Sequence, residues 1–411
     1  MGSNILVFIS KGAESNDLLE INKKSRGGAV FSSTIYAKKI SDAFKKCYQE
    51  VVEIRIPPVS WWPKYSSIIW AKNKTNTSQE KSNHDIRFLN IFGLRNLSMS
   101  WHIRNALKFW LPKRLHNVSN FDVVIFEATY PQLTAAKFLK KRYPKVKTSL
   151  IVPDLPELTN FSIHKYWYKK LKNIDSNLVY KIAKSNIDSF VFFSPFMLEK
   201  FNVSQKPFLI SEGIADKMWE IKPPEEKKAS FVVVYTGIIS NEYANINLAI
   251  DSVNMLNQKI SSQLLLAGPC TDLELLNRFK NEKHVVYLGT LSPEKAKELQ
   301  QDADILLNLR PNQPDFRYSF PSKLISYMQA GKPILTTKLL SIPPKFDEAL
   351  FYVEEFTPKS ISNSLFLISK LSKKERLLLV SKQKELIEKL SADNLAREIS
   401  SMLNNIENKS V

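Results

Sequence analysis

The stretch ILLNLRPNQPDFRYSFPSKLISYMQAGKPIL, residues 305–335, decides the fold. It opens on a short, almost continuous apolar run, Ile305-Leu306-Leu307-Asn308-Leu309, which reads as a strand buried on both faces. A polar, proline-containing loop follows, and helical spacing of apolar residues over 321–330 predicts a helix. Pro321 suits a first helical turn, where its missing N–H is not needed, and Ser319 or Ser322 fits the N-cap. Gly331 closes the helix and Pro333 leads into another strand.

The same alternation extends in both directions. Apolar, β-branched runs predict strands at 4–9, 51–55, 122–126, 148–152 and 189–193. A second series is expected at 231–236, 263–267, 284–288, 304–308 and 333–336. Helical patterns lie between them at 29–46, 132–142, 244–258, 272–280, 293–301 and 321–330. Buried strands separated by helices imply parallel sheets, and two such series imply two doubly wound α/β domains. The polar stretch 212–226, with Pro223 and Pro224, is the expected boundary. This gives an N-terminal domain over 1–215, a second over 216–372, and a helical segment over 373–411 expected to pack back toward the first. Residues 71–85 have few apolar side chains and read as a mobile insert.

With 411 residues there is ample chain for two cores. Two cysteines, Cys47 and Cys270, exclude a disulfide framework or a cysteine zinc site and fit a reducing, cytoplasmic compartment. No run of 18 apolar residues is present, so no membrane-spanning helix is expected. The formal net charge of +19 is unevenly spread: 33 basic and 16 acidic residues precede position 216, giving +17, and the remainder carries +2. A field of one sign on the first half favours a polyanionic partner there: nucleic acid, an anionic membrane surface or a phosphorylated substrate. No nucleic-acid-binding motif occurs, so nucleic acid is not expected.

The chemistry centres on the quoted stretch. Arg310 at the carboxyl end of a strand, and Ser322 with Lys323 at a helix start, place a guanidinium, an ammonium and backbone N–H groups together. That combination suits a diphosphate. Val234-Tyr235-Thr236-Gly237 ends the first strand of the second domain, and Gly237 there allows a ligand close to the backbone. Val285-Val286-Tyr287-Leu288-Gly289-Thr290-Leu291 ends another strand in a loop able to meet a nucleobase. Asp302 and Asp304 stand at a helix-to-strand junction and read as structural, and no metal site is expected.

Tyr-Thr-Gly (235–237), Leu-Leu-Leu-Ala-Gly (264–268), Val-Val-Tyr-Leu-Gly (285–289), Ala-Asp-Ile-Leu-Leu-Asn (303–308), Ser-Phe-Pro-Ser-Lys-Leu (319–324) and Ala-Gly-Lys-Pro (330–333) follow in a definite order. That ordered set resembles the donor-binding domain of GT-B glycosyltransferases, and most of all the retaining family 4 enzymes that build bacterial surface polysaccharides. The likeness covers about 231–345 well and 1–215 weakly. It implies two Rossmann-like domains facing a central cleft and a nucleotide diphosphate sugar as donor, with no separate cofactor. The base would lie near Thr290 and Leu291, and the diphosphate at Gly237, Ser322, Lys323 and the helix start, with Arg310 near and Ser319 also among the donor-binding residues. The family commonly carries two glutamates eight positions apart, the first touching the sugar and the second the ribose. Here Tyr318 and Ser326 hold those places, and Ile238 and Ala244 stand where a basic pair often follows the first glycine.

In the basic half, Gly27 and Gly28 before a helix form a loop that faces phosphates or acceptor, or is simply flexible. Glu127 and Asp154 follow strands 122–126 and 148–152, where α/β sheets place ligands. Each could orient an acceptor hydroxyl or stabilise positive charge on the sugar, and each could equally cap a helix. Trp61, Trp62, Trp70, the run 101–114 and the run 164–172 mix aromatic and basic residues, which suits a lipid headgroup zone as well as a core with a solvated face. The resulting expectation is a hexosyltransferase acting on a lipid-linked saccharide, peripheral at the inner membrane face. The alternatives are a non-catalytic GT-B partner or glycan-binding protein, a nucleic-acid-binding protein, and a sugar-nucleotide epimerase.

Overall fold

The structure is a computed structural model and describes residues 3–26, 32–70, 82–91, 93–116, 118, 120–158, 166–220 and 230–406. The chain divides into two compact units, one running to Ile214 and resuming at Ala392, the other spanning Ala215–Ser391. The first junction, Ile214-Ala215, falls within the boundary expected at 212–226, of which residues 221–226 lie outside the described residues.

The first unit is built on a seven-stranded parallel sheet. Its spatial order is Asn83–Asp85, Glu50–Ile56, Ile5–Lys11, Asp122–Phe126, Lys147–Val152, Ser189–Phe192, Phe208–Ile210. Leu6, Val7, Phe8 and Ile9 are consecutive and wholly buried, as are Val123 to Phe126. Burial of successive residues requires cover on both faces, and the helices supply it. While 71–81 lies outside the described residues, the reading of 71–85 as an insert is corrected at the strand Asn83–Asp85. Its backbone pairs with the strand beside it (Glu53 with Asn83, Arg55 with Asp85), and Arg55 Nε donates to Asp85 at 2.6 Å. An ion pair and three residues of ladder hold a strand that hydrophobic patterning does not reveal.

The second unit has a six-stranded parallel sheet in the order Val285–Tyr287, Ser262–Ala267, Phe231–Thr236, Ile305–Asn308, Ile334–Thr336, Phe351–Tyr352. The order runs outward in one direction from Phe231–Thr236 and in the other from Ile305–Asn308. The same reversal occurs in the first unit between Ile5–Lys11 and Asp122–Phe126. Helix Ile246–Leu256 covers one face through Ile246, Ala249, Ile250 and Val253. Helix Lys323–Gln329 covers the other through Leu324, Tyr327 and Met328.

The 373–411 segment is shared between the units. Helix Lys373–Lys389 starts in a capping box of Ser372 and Glu375 and buries Leu386 and Ile387 in the second core. Gln383 Nε2 donates to the Lys332 carbonyl at 2.9 Å. Helix Ala392–Asn404 belongs to the first unit, where it packs on helix Ser32–Cys47 with Leu395, Ala396, Ile399 and Leu403 buried. The apolar stripe of each helix decides its side, and the division falls between them at Ser391-Ala392. Removing a wholly buried branched side chain leaves a cavity, whereas an exposed leucine has little to lose. Ile399→Ala is therefore expected to cost about 2–5 kcal/mol in urea unfolding, and Leu378→Ala, 61% exposed, less than about 0.5 kcal/mol.

Candidate functional site

In an open parallel sheet, loops leaving two neighbouring strands diverge where the strand order reverses, and a crevice opens between them. In the second unit those strands are Phe231–Thr236 and Ile305–Asn308, in register at Val233 and Ile305. Gly237 leaves the first and Arg310 follows the second. Asn245 Nδ2 donates to the Leu309 carbonyl at 2.8 Å and ties the two loops together.

Backbone packing around Gly237 excludes side chains. Gly237 and Gly268 have φ of +131° and +144°, outside the comfortable range of any residue with a Cβ. A Cβ on Gly268 would sit 1.9 Å from the Gly237 carbonyl oxygen. Gly237 N–H donates to the Ala267 carbonyl and Gly268 N–H to that of Gly289, each at 2.8 Å. Three strand ends are thereby joined edge to edge, and the phenol of Tyr287 donates to the Gly268 carbonyl at 2.9 Å.

Lys323 folds over this floor. A Cβ on Gly237 would lie 2.3 Å from both Cε and Nζ of Lys323, so the missing side chain leaves room for the lysine. The ammonium is 3.9 Å from the Tyr235 ring centroid and donates to its phenol oxygen. Burial, followed by the charge of Arg310, pulls the Lys323 pKa down to about 7. Arg310 is itself half-buried, with its guanidinium 4.0 Å over the Phe316 ring. Its charge also acts on Tyr235 and Tyr243, whose phenols are pushed up chiefly by burial. Among the described residues Lys323 has no carboxylate partner. A buried cation without a counter-charge is costly, and a bound anion relieves that cost.

The expected helix cap is corrected. The helix is only Lys323–Gln329, and Ser322 precedes it in right-handed helical geometry with no side-chain capping bond. Leu324 N–H already donates to Pro321 at 2.9 Å and Ile325 N–H to Ser322 at 3.2 Å. Ser319 instead ends a short 3-10 turn, Pro314–Tyr318, and its N–H donates to the Phe316 carbonyl. That turn draws the chain in before the helix begins. The anion-attracting groups here are the side chains of Lys323 and Arg310.

Tyr318 is buried, and its hydroxyl accepts from Arg317 Nη2 at 2.6 Å. Ser326 Oγ donates to the Lys323 carbonyl at 3.0 Å, so its hydroxyl proton is engaged in the helix. Thr290 is exposed and Leu291 half-buried in the loop after Gly289, whose own N-terminal neighbour strand ends at Tyr287. Two residues escaped the sequence reading as parts of the site. Tyr235 forms the wall against Lys323. Tyr327, wholly buried, accepts from the Thr236 N–H at 3.0 Å and fixes the strand end to the helix. Its signal was the spacing of four from Lys323, which puts both on one helix face.

In the first unit, Glu127 lies at the corresponding reversal of strand order. It has φ +78°, uncommon for a residue with a side chain, and its carboxylate pairs with Lys11 at 2.6 Å. The following helix begins at Tyr130 with Thr129 at its N-cap position, so Glu127 does not cap it. Asp154 is exposed in the bend after Lys147–Val152. Gly27 and Gly28 lie outside the described residues. Asp304 Oδ2 accepts from the Val232 N–H at 2.8 Å, a structural role, and no cluster of metal-ligating side chains occurs among the described residues.

Comparison with known proteins adds to this geometry. Residues 230–365 match the family model described as Glycosyl transferases group 1. The OtsA apo structure superposes with TM-score 0.62 at 12% identity, covering 98% of this chain and 100% of that one. The apo lipopolysaccharide outer core galactosyltransferase WaaB gives 0.59 at 14%, covering 97% and 99%. This is the GT-B fold. A further GT-B structure, described as trehalose-6-phosphate from E. coli bound with UDP-2-fluoro glucose, gives 0.59 at 11%, covering 98% and 99%. No curated protein sequence matches the chain. The second unit thus carries the family match, and its cationic crevice lies within the matched residues. Because a Cβ at Gly268 meets backbone, Gly268→Ala is expected to lower unfolding free energy by about 1–3 kcal/mol. Denaturant titration checks this, and an unchanged midpoint would remove the close-packed floor from the account.

Proposed function

We propose that the protein is a glycosyltransferase that moves a hexosyl group from a nucleotide diphosphate sugar to a saccharide acceptor, itself lipid-linked. The observation that carries the proposal is Lys323, half-buried over Gly237 beside Arg310 and with no carboxylate partner among the described residues. In transfer, the bond from the anomeric carbon to the diphosphate oxygen breaks, and its electron pair stays on that oxygen. Negative charge therefore grows where Lys323 and Arg310 stand. Cations already held there stabilise the transition state without reorganisation. The acceptor hydroxyl oxygen bonds to the anomeric carbon, and its proton passes to the departing diphosphate. Glu127 and Asp154 orient the acceptor hydroxyl or stabilise the cationic sugar. Thr290 and Leu291 meet the base, while Ser322 and Ser319 border the diphosphate. The match over 230–365 supports the reaction class, and retention of configuration is proposed on the sequence resemblance to family 4 enzymes alone.

Arg310→Ala and Lys323→Ala are each expected to lower turnover by about 10²–10³-fold. Thermal unfolding should change little by comparison. Wild-type turnover in both variants would refute the assignment. One specific observation favours a second reading, a non-catalytic partner that binds nucleotide or glycan. Tyr318 and Ser326 supply no carboxylate, and each is engaged within the protein. Nucleotide binding without turnover against any sugar donor would select that reading.

The depressed pKa of Lys323 makes binding depend on pH. An anion favours the charged lysine and raises its pKa, so binding takes up a proton when the pH exceeds about 7. Affinity for a nucleoside diphosphate should consequently fall as pH rises from about 6 to about 9. Calorimetry in buffers of different ionisation enthalpy measures the uptake. Lys323→Met should abolish it. Uptake that is equal in the variant would dissociate the lysine from the phosphates.

A further inference from the structure

The segment 86–120 has six basic residues, Arg87, Arg95, Arg104, Lys108, Lys113 and Arg114, and not one acidic residue. It folds into helix Arg95–Asn105, a π-helical turn Ala106–Trp110 and a short helix Leu111–Arg114. One side of this rod is core: Met99, Ile103, Leu107 and Leu111 are buried, and the helix packs on helix Tyr130–Arg142. The outward side should be polar in an ordinary surface helix. Instead Leu94, Leu97 and Trp101 stand exposed at helical spacing, with Phe109 beyond them. Trp101 and Leu97 are each 58% exposed and Phe109 56%. Arg104 and Lys108 continue the same stripe at intervals of three and four.

A small antiparallel pair, Ile69–Trp70 with Phe88–Leu89, adjoins the helix, and Leu89 N–H donates to Ser98 Oγ at 3.0 Å. Its strands alternate: Trp70 and Phe88 are buried, while the cross-strand partners Ile69 and Leu89 face outward. Of the two readings left open for Trp70, surface patch and core, the structure gives core. Trp62 is exposed, and the run 164–172 lies outside the residues whose side chains are described. Arg95 and Arg114 are taken up internally, by the Val59 carbonyl and by Glu50. Arg87, Arg104, Lys108 and Lys113 are exposed and make no ion pair among the described residues.

We propose that this face of the first unit docks the protein on a bilayer surface rich in anionic phospholipid. The chemistry selects that occupant. Exposed Leu, Ile, Phe and Trp gain nothing from nucleic-acid phosphates but gain from the headgroup–acyl boundary. A second copy of the same face would bring like charges together. An anionic leaflet satisfies both halves of the pattern, attracting the cations and accepting the apolar side chains. This docking does not depend on the donor site, which lies in the other unit.

The test is co-sedimentation of the full chain with vesicles of phosphatidylcholine, alone or mixed with phosphatidylglycerol. The wild type should pellet with the anionic vesicles, weakly or not at all with the neutral ones, and less as salt is raised. Each basic residue near such a surface contributes about fivefold in affinity. Arg104→Glu with Lys108→Glu should therefore weaken binding by more than ~25-fold. Trp101→Ser with Phe109→Ser should remove the binding that survives high salt. All four side chains are exposed, and unchanged circular dichroism confirms the fold. The proposal is overturned by a wild type that stays in the supernatant, or by variants that bind as well as it does. It is equally overturned if the variants only convert a wild-type dimer to monomer.

Discussion

A half-buried lysine whose ammonium has no carboxylate partner among the described residues holds the second unit's crevice together. Lys323 reaches the strand end because Gly237 has no side chain, and Gly237 keeps its backbone geometry because Gly268 has none either. Tyr235 takes the cation against its ring, and Tyr327 anchors Thr236 to the helix from which the lysine projects. Each element therefore constrains the next. The cost of burying the charge appears as a lowered pKa rather than as an internal salt bridge. A carboxylate partner would stabilise the free protein but would compete with an incoming anion. Leaving the charge unmatched keeps the site ready for one.

The two units handle the same topological problem with opposite electrostatics. Both sheets reverse strand order beside their first strand, and both place ionisable groups there. In the first unit Lys11 and Glu127 neutralise one another at 2.6 Å, with Glu127 held at positive φ. Arg55 and Asp85 form another matched pair on the neighbouring strands. A neutralised set of this kind can exchange hydrogen bonds with polar hydroxyl groups. In the second unit the Lys323 ammonium, with no carboxylate partner among the described residues, suits phosphate. The division of charge at the crevices thus differs from the division of net charge in the sequence. The excess of the first half resides on surfaces such as that of residues 86–114, rather than at its strand ends.

Much of this was legible in the sequence because buried parallel strands announce themselves. Ile5 to Ile9, Val123 to Phe126 and Phe231 to Thr236 are apolar runs with few competing readings. Strand Asn83–Asp85 is not apolar at all, and only its ladder and the Arg55 pair reveal it. Helices Ser15–Lys24, Tyr166–Asn186 and Pro358–Ser369 were also missed. At the site, Gly237, Arg310 and Lys323 were found from their places after strands and before a helix. The cap was misread because Ser-Phe-Pro-Ser matches a capping pattern, while the chain uses Pro314–Tyr318 as a 3-10 turn and begins the helix later. Tyr235 was passed over because an aromatic in a buried strand is ordinarily core. Its role appears only when the lysine, distant in sequence, folds onto its ring.

The replacement of the glutamates common in similar proteins follows a physical logic of its own. A carboxylate at position 318 or 326 would lie on the same loop or helix as Lys323. Tyr318 instead spends its hydroxyl on Arg317, and Ser326 spends its proton on the Lys323 carbonyl. Neither adds negative charge next to the buried ammonium. Arg310 raises the positive potential further, which a neighbouring glutamate would offset. The site therefore trades charge-assisted recognition of hydroxyl groups for a stronger attraction to phosphate. On the proposed function, selectivity among sugars would come from shape and neutral hydrogen bonds, which discriminate less steeply than a buried ionic contact.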